Sequence, residues 1–260
     1  MRKFSYVGGG GNRLSSYNNG FTLAEGTKCV ATLKDNRFSA FTLAEVLITL
    51  GIIGVVVALT MPALIANHRK NVVETRLKHF YSTINQAITL SEVEHGDKNT
   101  WQPEDTEDFW NNYISPYIKY LKAENSDDGQ YKVVYLPNGS LFAVDVFSSK
   151  NSDGSINYQS YGGHFIFYPE AKNYKSKSNP FSSFGAKYFR FAFWPNEDLD
   201  IFKYHKNKGV EPYLANWNGN EDALYTNERF GCNETGNGSW CTAIIMRNGW
   251  KIPDDYPLRY

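Results

Sequence analysis

Reactive side chains are scarce in this sequence. Its 260 residues include five histidines, three methionines and three cysteines. The histidines, His68, His79, His95, His164 and His205, are dispersed, and none belongs to a His-Glu-x-x-His pair, which removes the usual helical zinc-hydrolase pattern. There is no Gly-x-Ser-x-Gly nucleophile elbow, and the glycine run at residues 8–11 lies in a polar, basic stretch and opens no phosphate-binding helix. Glu92, Glu94 and His95 read as the solvated end of a helix, not a metal cluster. The chain is therefore expected to be no enzyme, with no catalytic residues, no resident cofactor and no metal.

Net charge is also absent. Lys plus Arg and Asp plus Glu each total 27, so bulk electrostatics give no reason to expect a nucleic-acid partner. The zero conceals an asymmetry. Residues 1–40 carry six basic side chains (Arg2, Lys3, Arg13, Lys28, Lys34, Arg37) against Glu25 and Asp35, and the remainder is correspondingly acidic. Such a split suits a basic segment kept in the cytoplasm while the rest is exported.

Charge is nearly missing from residues 41–66, where Glu45 is the one ionisable group in 26 residues. As a helix this run would reach about 39 Å against a hydrocarbon core of about 30 Å, long enough to span a bilayer. It is longer than the apolar region of a secretory signal, and no small-x-small cleavage site directly follows it. Beyond it Val73, Leu77, Phe80, Ile84 and Ile88 recur at intervals of three or four, while Glu74, Lys78, Ser82, Asn85 and Gln86 take other faces. The pattern predicts an amphipathic continuation over residues 67–96, stopped at Gly96, in a single helix of roughly 55 residues that Pro62 should kink. Arg69, Lys70, Arg76 and Lys78 follow the span as the basic leader precedes it, so flanking charge alone does not set the orientation.

The cysteines help. Cys29 lies in the basic segment, whereas Cys232 and Cys241 stand nine apart in a turn-rich stretch, without a nearby histidine or the two-residue spacing of a zinc site. They read as a disulfide worth about 2–3 kcal/mol in the chain-entropy treatment, against the alternative of two reduced thiols. A disulfide places the C-terminal part outside the cytoplasm.

The residues Ala40-Phe41-Thr42-Leu43-Ala44-Glu45, the apolar run after them, and Pro62 at the twenty-second position counted from Phe41 resemble the N-terminal module of type IV prepilins and type II secretion pseudopilins. The resemblance implies that a prepilin peptidase cuts between Ala40 and Phe41 and methylates the new amine of Phe41. It also implies that Glu45 pairs with the Phe41 ammonium of a neighbouring subunit during assembly, against the alternative that Glu45 sits at headgroup depth and pairs within its own chain. The residue before the cut is usually glycine in that family, and here it is Ala40. Residues 20–25, Gly-Phe-Thr-Leu-Ala-Glu, repeat the motif upstream, but the polar and charged residues after them cannot form a span, so they read as a decoy.

Residues 97–260 form the expected head. A second helix is predicted over residues 106–121, interrupted at Ser115-Pro116. Strands are predicted over 131–136 and 141–147, joined by a turn at Asn138-Gly139, and over 164–168, 187–194 and 242–247. The fold class is thus α+β: a long transmembrane and amphipathic helix packed on an antiparallel sheet. Asp145, Asn151 and Asp153-Gly154 could gather round calcium, although such clusters are more often turns, and the three Asn-x-Ser/Thr sites at Asn138, Asn233 and Asn237 read as turn chemistry.

The resemblance implies four divisions: a leader, 1–40, removed; a filament-core helix, 41–66; its continuation, 67–96; and an extracytoplasmic head, 97–260. Its implied function is that of a pseudopilin or minor pilin. The implied partners are other pilin subunits, prepilin peptidase, an inner-membrane platform protein, an assembly ATPase and, before assembly, membrane lipid. The implied location is the inner membrane, as a single-pass protein with its head outside the cytoplasm, and then an envelope filament. The rival class is a pilus-borne adhesin or glycan- or cargo-binding module, motivated by 18 Tyr, 17 Phe and six Trp that could offer stacking surfaces.

Overall fold

The computed structural model describes residues 41–150, 152–175, 184–196 and 200–258. The leader with Ala40, its repeated motif and Cys29, together with Asn151, lies outside the described residues.

Helix α1 runs from Leu43 to His95, 53 residues, with Pro62 inside it. It stops where the sequence predicts. Gly96 adopts a φ of 78°, which glycine enters without strain, and its N–H closes the last turn on the Glu92 carbonyl at 3.0 Å. The amphipathic half buries Val73, Leu77, Phe80, Ile84 and Ile88, the five residues picked out by periodicity. Glu74 is a correction. Expected on a polar face, it is buried: its carboxylate accepts from Lys251 Nζ at 2.6 Å and from the Ile252 N–H at 2.9 Å. A buried carboxylate persists only when such donors reach it, and they come from far along the chain.

After α1 the backbone makes a short helix α2 (Thr106–Asp108), a π-helical turn (Phe109–Ile114) and a 3₁₀ turn (Ser115–Tyr117). The predicted helix is thus shorter and irregular. It ends at Tyr117, Pro116 falls in the first turn of the 3₁₀ segment, and residues 122–125 are already a strand. Strands β1 (Lys122–Asn125), β2 (Lys132–Tyr135), β3 (Leu141–Lys150), β4 (Ile156–Tyr168), β5 (Phe189–Phe193) and β6 (Glu211–Pro212) form one antiparallel sheet in sequence order. The Asn138-Gly139 turn joins β2 to β3, with Gly139 at φ 80° and the Asn138 side chain accepting from Ser140. Strands β1 and β6 escaped the sequence reading, one because Lys-Ala-Glu-Asn has no apolar alternation and the other because it is two residues long.

Period-two alternation gives the sheet two apolar faces. Phe142, Val144, Val146, Phe165, Phe167, Phe189, Phe191 and Phe193 face α1. Phe80 sits among them, stacked on Phe167 at 4.5 Å and tilted or edge-on to Phe142, Phe165 and Phe191 at 5.1–6.5 Å. The opposite face carries Leu141, Ala143, Ile166 and Tyr168, and Ala192 packs with the C-terminal residues Tyr213, Trp217, Phe230, Trp240 and Ile244. Covering both faces is what uses so many aromatic rings.

Residues 242–247 are not a strand. They belong to α4 (Cys241–Arg247), which comes after a short α3 (Ala223–Thr226). A brief apolar run cannot distinguish strand from buried helix by periodicity. Here Cys241 to Ile245 are buried in succession, and Gly249 at φ 66° lies just beyond the helix end.

Candidate functional site

At the start of α1 the sequence Thr-Leu-Ala-Glu builds a reciprocal cap. The Glu45 N–H donates to Thr42 Oγ1 at 3.2 Å, and the Thr42 N–H and hydroxyl each donate to Glu45 Oε2 at 2.8 Å. This is a capping box, with Thr42 closing the open end of the helix and Glu45 reaching back. The other carboxylate oxygen of Glu45 takes no hydrogen bond from the described residues. Phe41, immediately before the cap, is 85% exposed. The Thr-x-x-Glu spacing of a capping box is present in the sequence, but a lone charge in an apolar run is the more conspicuous signal at Glu45, and it hides the cap.

The next residues of α1 are apolar and exposed, a composition that fits membrane anchoring. Leu47, Ile48, Leu50, Ile52, Ile53, Val55, Leu59 and Leu64 are all exposed, and the apolar window meets the length and composition of a membrane span with none of it buried. Its polar groups are satisfied internally: Thr49 Oγ1 donates to the Val46 carbonyl and Thr60 Oγ1 to the Val56 carbonyl, both at 2.9 Å. Pro62 supplies no N–H to the carbonyl four residues back, that of Ala58.

Cys232 and Cys241 form a disulfide, with Cα atoms 4.7 Å apart and both residues fully buried. Cys241 is the first residue of α4, so the bridge ties that helix to the turn-rich loop before it. Within the loop Asn233 Oδ1 accepts from Thr235 and Gly236, and Asn237 Oδ1 from Ser239, the turn chemistry expected of both sites. Replacing both cysteines with serine should cost about 2–3 kcal/mol. Thermal unfolding of the purified full chain, with wild type in oxidised and reduced form alongside, measures this, and identical midpoints would deny the bridge a stabilising role.

Several polar residues of the head are held by partners within it. Asp145 and His164 stand opposite each other on β3 and β4; the Asp145 carboxylate accepts the His164 N–H at 3.1 Å and lies 3.5 Å from Nδ1. Burial holds His164 below its ordinary pKa, with Asp145 working in the other direction. Arg190 lays its guanidinium 3.8 Å from the Tyr213 ring centre and donates to Ser239 Oγ. Burial pushes His205 down to about 3, which keeps it neutral while Nε2 accepts the Leu214 N–H at 3.1 Å. Of the residues suggested for calcium, Asp153 caps its own turn through Ser155 and Asn151 lies outside the described residues, and no group of three or more His, Cys, Asp or Glu side chains gathers among the described residues. Glu94 accepts from the Tyr117 hydroxyl at 2.7 Å and Glu92 from Lys98 at 2.9 Å, so the end of α1 is a surface network. Five of the six tryptophans, Trp101, Trp110, Trp194, Trp217 and Trp240, are buried, whereas Trp250 is half-buried and Tyr120 and Phe147 are exposed.

Two family profiles match the chain. The first, described as "Family of unknown function (DUF6613)", matches residues 63–260, most of the chain. The chain belongs to that family. The second, the prokaryotic N-terminal methylation motif, matches residues 35–61 and covers the prepilin-type cleavage and methylation module. This DUF6613 member is accordingly a type IV pilin-like protein, in which an N-terminal apolar helix fit for membrane anchoring is followed by an α+β head. The pilin-type motif points to a structural protein that assembles with other pilins and is processed by prepilin peptidase. No curated protein and no solved structure matches the chain.

Proposed function

We propose that this protein is a pseudopilin or minor pilin. Residues 1–40 stay in the cytoplasm as a leader, residues 41–66 cross the inner membrane once, residues 67–96 continue the helix, and residues 97–260 form the exported head. Prepilin peptidase removes the leader between Ala40 and Phe41 and methylates the Phe41 amine. A platform protein and an assembly ATPase then move the subunit from lipid into a filament.

The observation that supports this reading is the state of Glu45. A carboxylate at the head of an exposed apolar helix is expensive unless paired, and here Thr42 alone among the described residues holds it. The Thr42 box keeps the carboxylate satisfied while the subunit waits in the membrane, and leaves one oxygen for the Phe41 ammonium of an incoming copy. The same box fixes the first turn of α1, so the acid is presented in one orientation.

Mass spectrometry of the protein extracted from membranes of cells with active peptidase should find N-methyl-Phe41 as its first residue. A start at Met1, or at Phe21 after the repeated motif, would count against the assignment.

A further inference from the structure

The clearest unexplained feature of the head is a cleft beside α1 where the helix leaves its apolar run. Its volume is about 360 Å³, and its lining brings Arg69, Lys172 and Lys187 together with Val72, Val73, Pro169 and Ala186. The three cations come from three separate parts of the chain: the helix, the loop after β4 and the turn before β5. Glu170 also lines the cleft and pairs with Lys172 at 3.0 Å, but Arg69 and Lys187 have no carboxylate partner among the described residues. Arg76, further along α1, donates to the Pro169 carbonyl at 2.6 Å and holds the loop that carries Lys172 against the helix.

The position of the cleft matters as much as its charge. Arg69 is three residues past Ala66, the last residue of the apolar run, so it stands about 4.5 Å further along the helix axis, at headgroup depth if the run fills the hydrocarbon. The cleft on the other side of α1 differs. There Lys70 pairs with Asp254 at 3.3 Å and Lys251 with buried Glu74, so its cations are already matched within the chain.

We propose that the cleft of Arg69, Lys172 and Lys187 binds the headgroup of an anionic phospholipid in the leaflet that faces the head. The phosphate meets the three cations, and Val72, Val73 and Ala186 accept the glycerol and the first carbons of the chains. This rests on the reading of residues 41–66 as a span and deepens it by naming the lipid class. The bound lipid would orient the head against the membrane before the subunit is extracted.

The test uses the full chain reconstituted into phosphatidylcholine vesicles with and without phosphatidylglycerol. Lipid that stays bound after gentle detergent extraction is counted by native mass spectrometry. Wild type should retain phosphatidylglycerol over phosphatidylcholine by roughly tenfold, as expected for a few screened cation contacts at a surface, and the preference should weaken with salt. The variant Arg69→Gln/Lys172→Gln/Lys187→Gln should lose it while keeping the wild-type melting temperature. Equal retention of the two lipids by wild type, a salt-independent preference, or an unchanged preference in a folded variant each overturns the proposal. Should the variant not fold, the lipid comparison and salt titration on wild type decide alone. Insertion that resists carbonate, without lipid preference, defeats the cleft only, whereas failure to insert defeats the membrane reading with it.

Discussion

Glu45→Ala should remove the protein from filaments while leaving its head folded and its helix in the membrane. The loss has two components, and a second substitution separates them. Alanine deletes both the reciprocal cap with Thr42 and the negative charge. Glu45→Gln keeps a side chain able to close a capping box but carries no charge to meet the Phe41 ammonium of a neighbour. The cap contributes about 1 kcal/mol. Breaking one half of a desolvated ion pair costs about 3–5 kcal/mol, roughly a hundredfold or more in subunit affinity. Immunoblots of sheared filaments against membrane fractions should therefore show both variants retained in the membrane and nearly absent from filaments. If Glu45→Gln assembles like wild type, the carboxylate serves only the cap and intersubunit charge pairing is refuted.

The second large effect concerns the seam between α1 and the sheet. Phe80→Ala should destabilise the head by about 3–5 kcal/mol, as expected for truncating a fully buried phenylalanine that leaves a cavity. Phe80 is 1% exposed and touches rings from three strands, Phe142, Phe165, Phe167 and Phe191, so no single neighbour can relax to fill its place. Lys78→Ala, on the exposed face two residues away, should stay within about 0.5 kcal/mol. Urea unfolding of the full chain in detergent, followed by tryptophan fluorescence, gives both numbers. A Phe80 variant as stable as the Lys78 variant would mean that the helix is not the central support of the sheet.

These two residues belong to parts of the chain that were legible for different reasons. Around Glu45 the signal is local: an apolar run interrupted by one acid stands out from neighbouring residues alone, whereas the cap with Thr42 stays hidden behind that charge. Phe80 was legible through period, because a helix repeats its buried face every three or four residues whatever it packs against. The β2–β3 hairpin was readable from Asn138-Gly139 for the same local reason.

Elsewhere local pattern failed. Glu74 has the ordinary spacing of a solvent-facing residue, and only the return of Lys251 and Ile252 makes its burial tolerable. Residues 242–247 carry a strand-like run of apolar side chains, yet they are helical in α4, pinned at Cys241 by the disulfide and buried against residues contributed by much of the C-terminal half. The surplus of aromatic rings suggested an exposed stacking surface because the sequence does not say that the sheet is covered on both sides.

By itself, then, the amino-acid sequence determined the long apolar helix, its glycine stop, the buried stripe beyond it and the pairing of the two late cysteines, since each depends on contacts within a few residues or on a simple period. Tertiary structure alone decided the fate of Glu74, the helical form of residues 241–247, the use of the tryptophans as core and the meeting of Arg69, Lys172 and Lys187 beside the helix. Those outcomes depend on which distant segments arrive at the same place, and burial, charge pairing and secondary structure are settled there by neighbours that the linear order does not reveal.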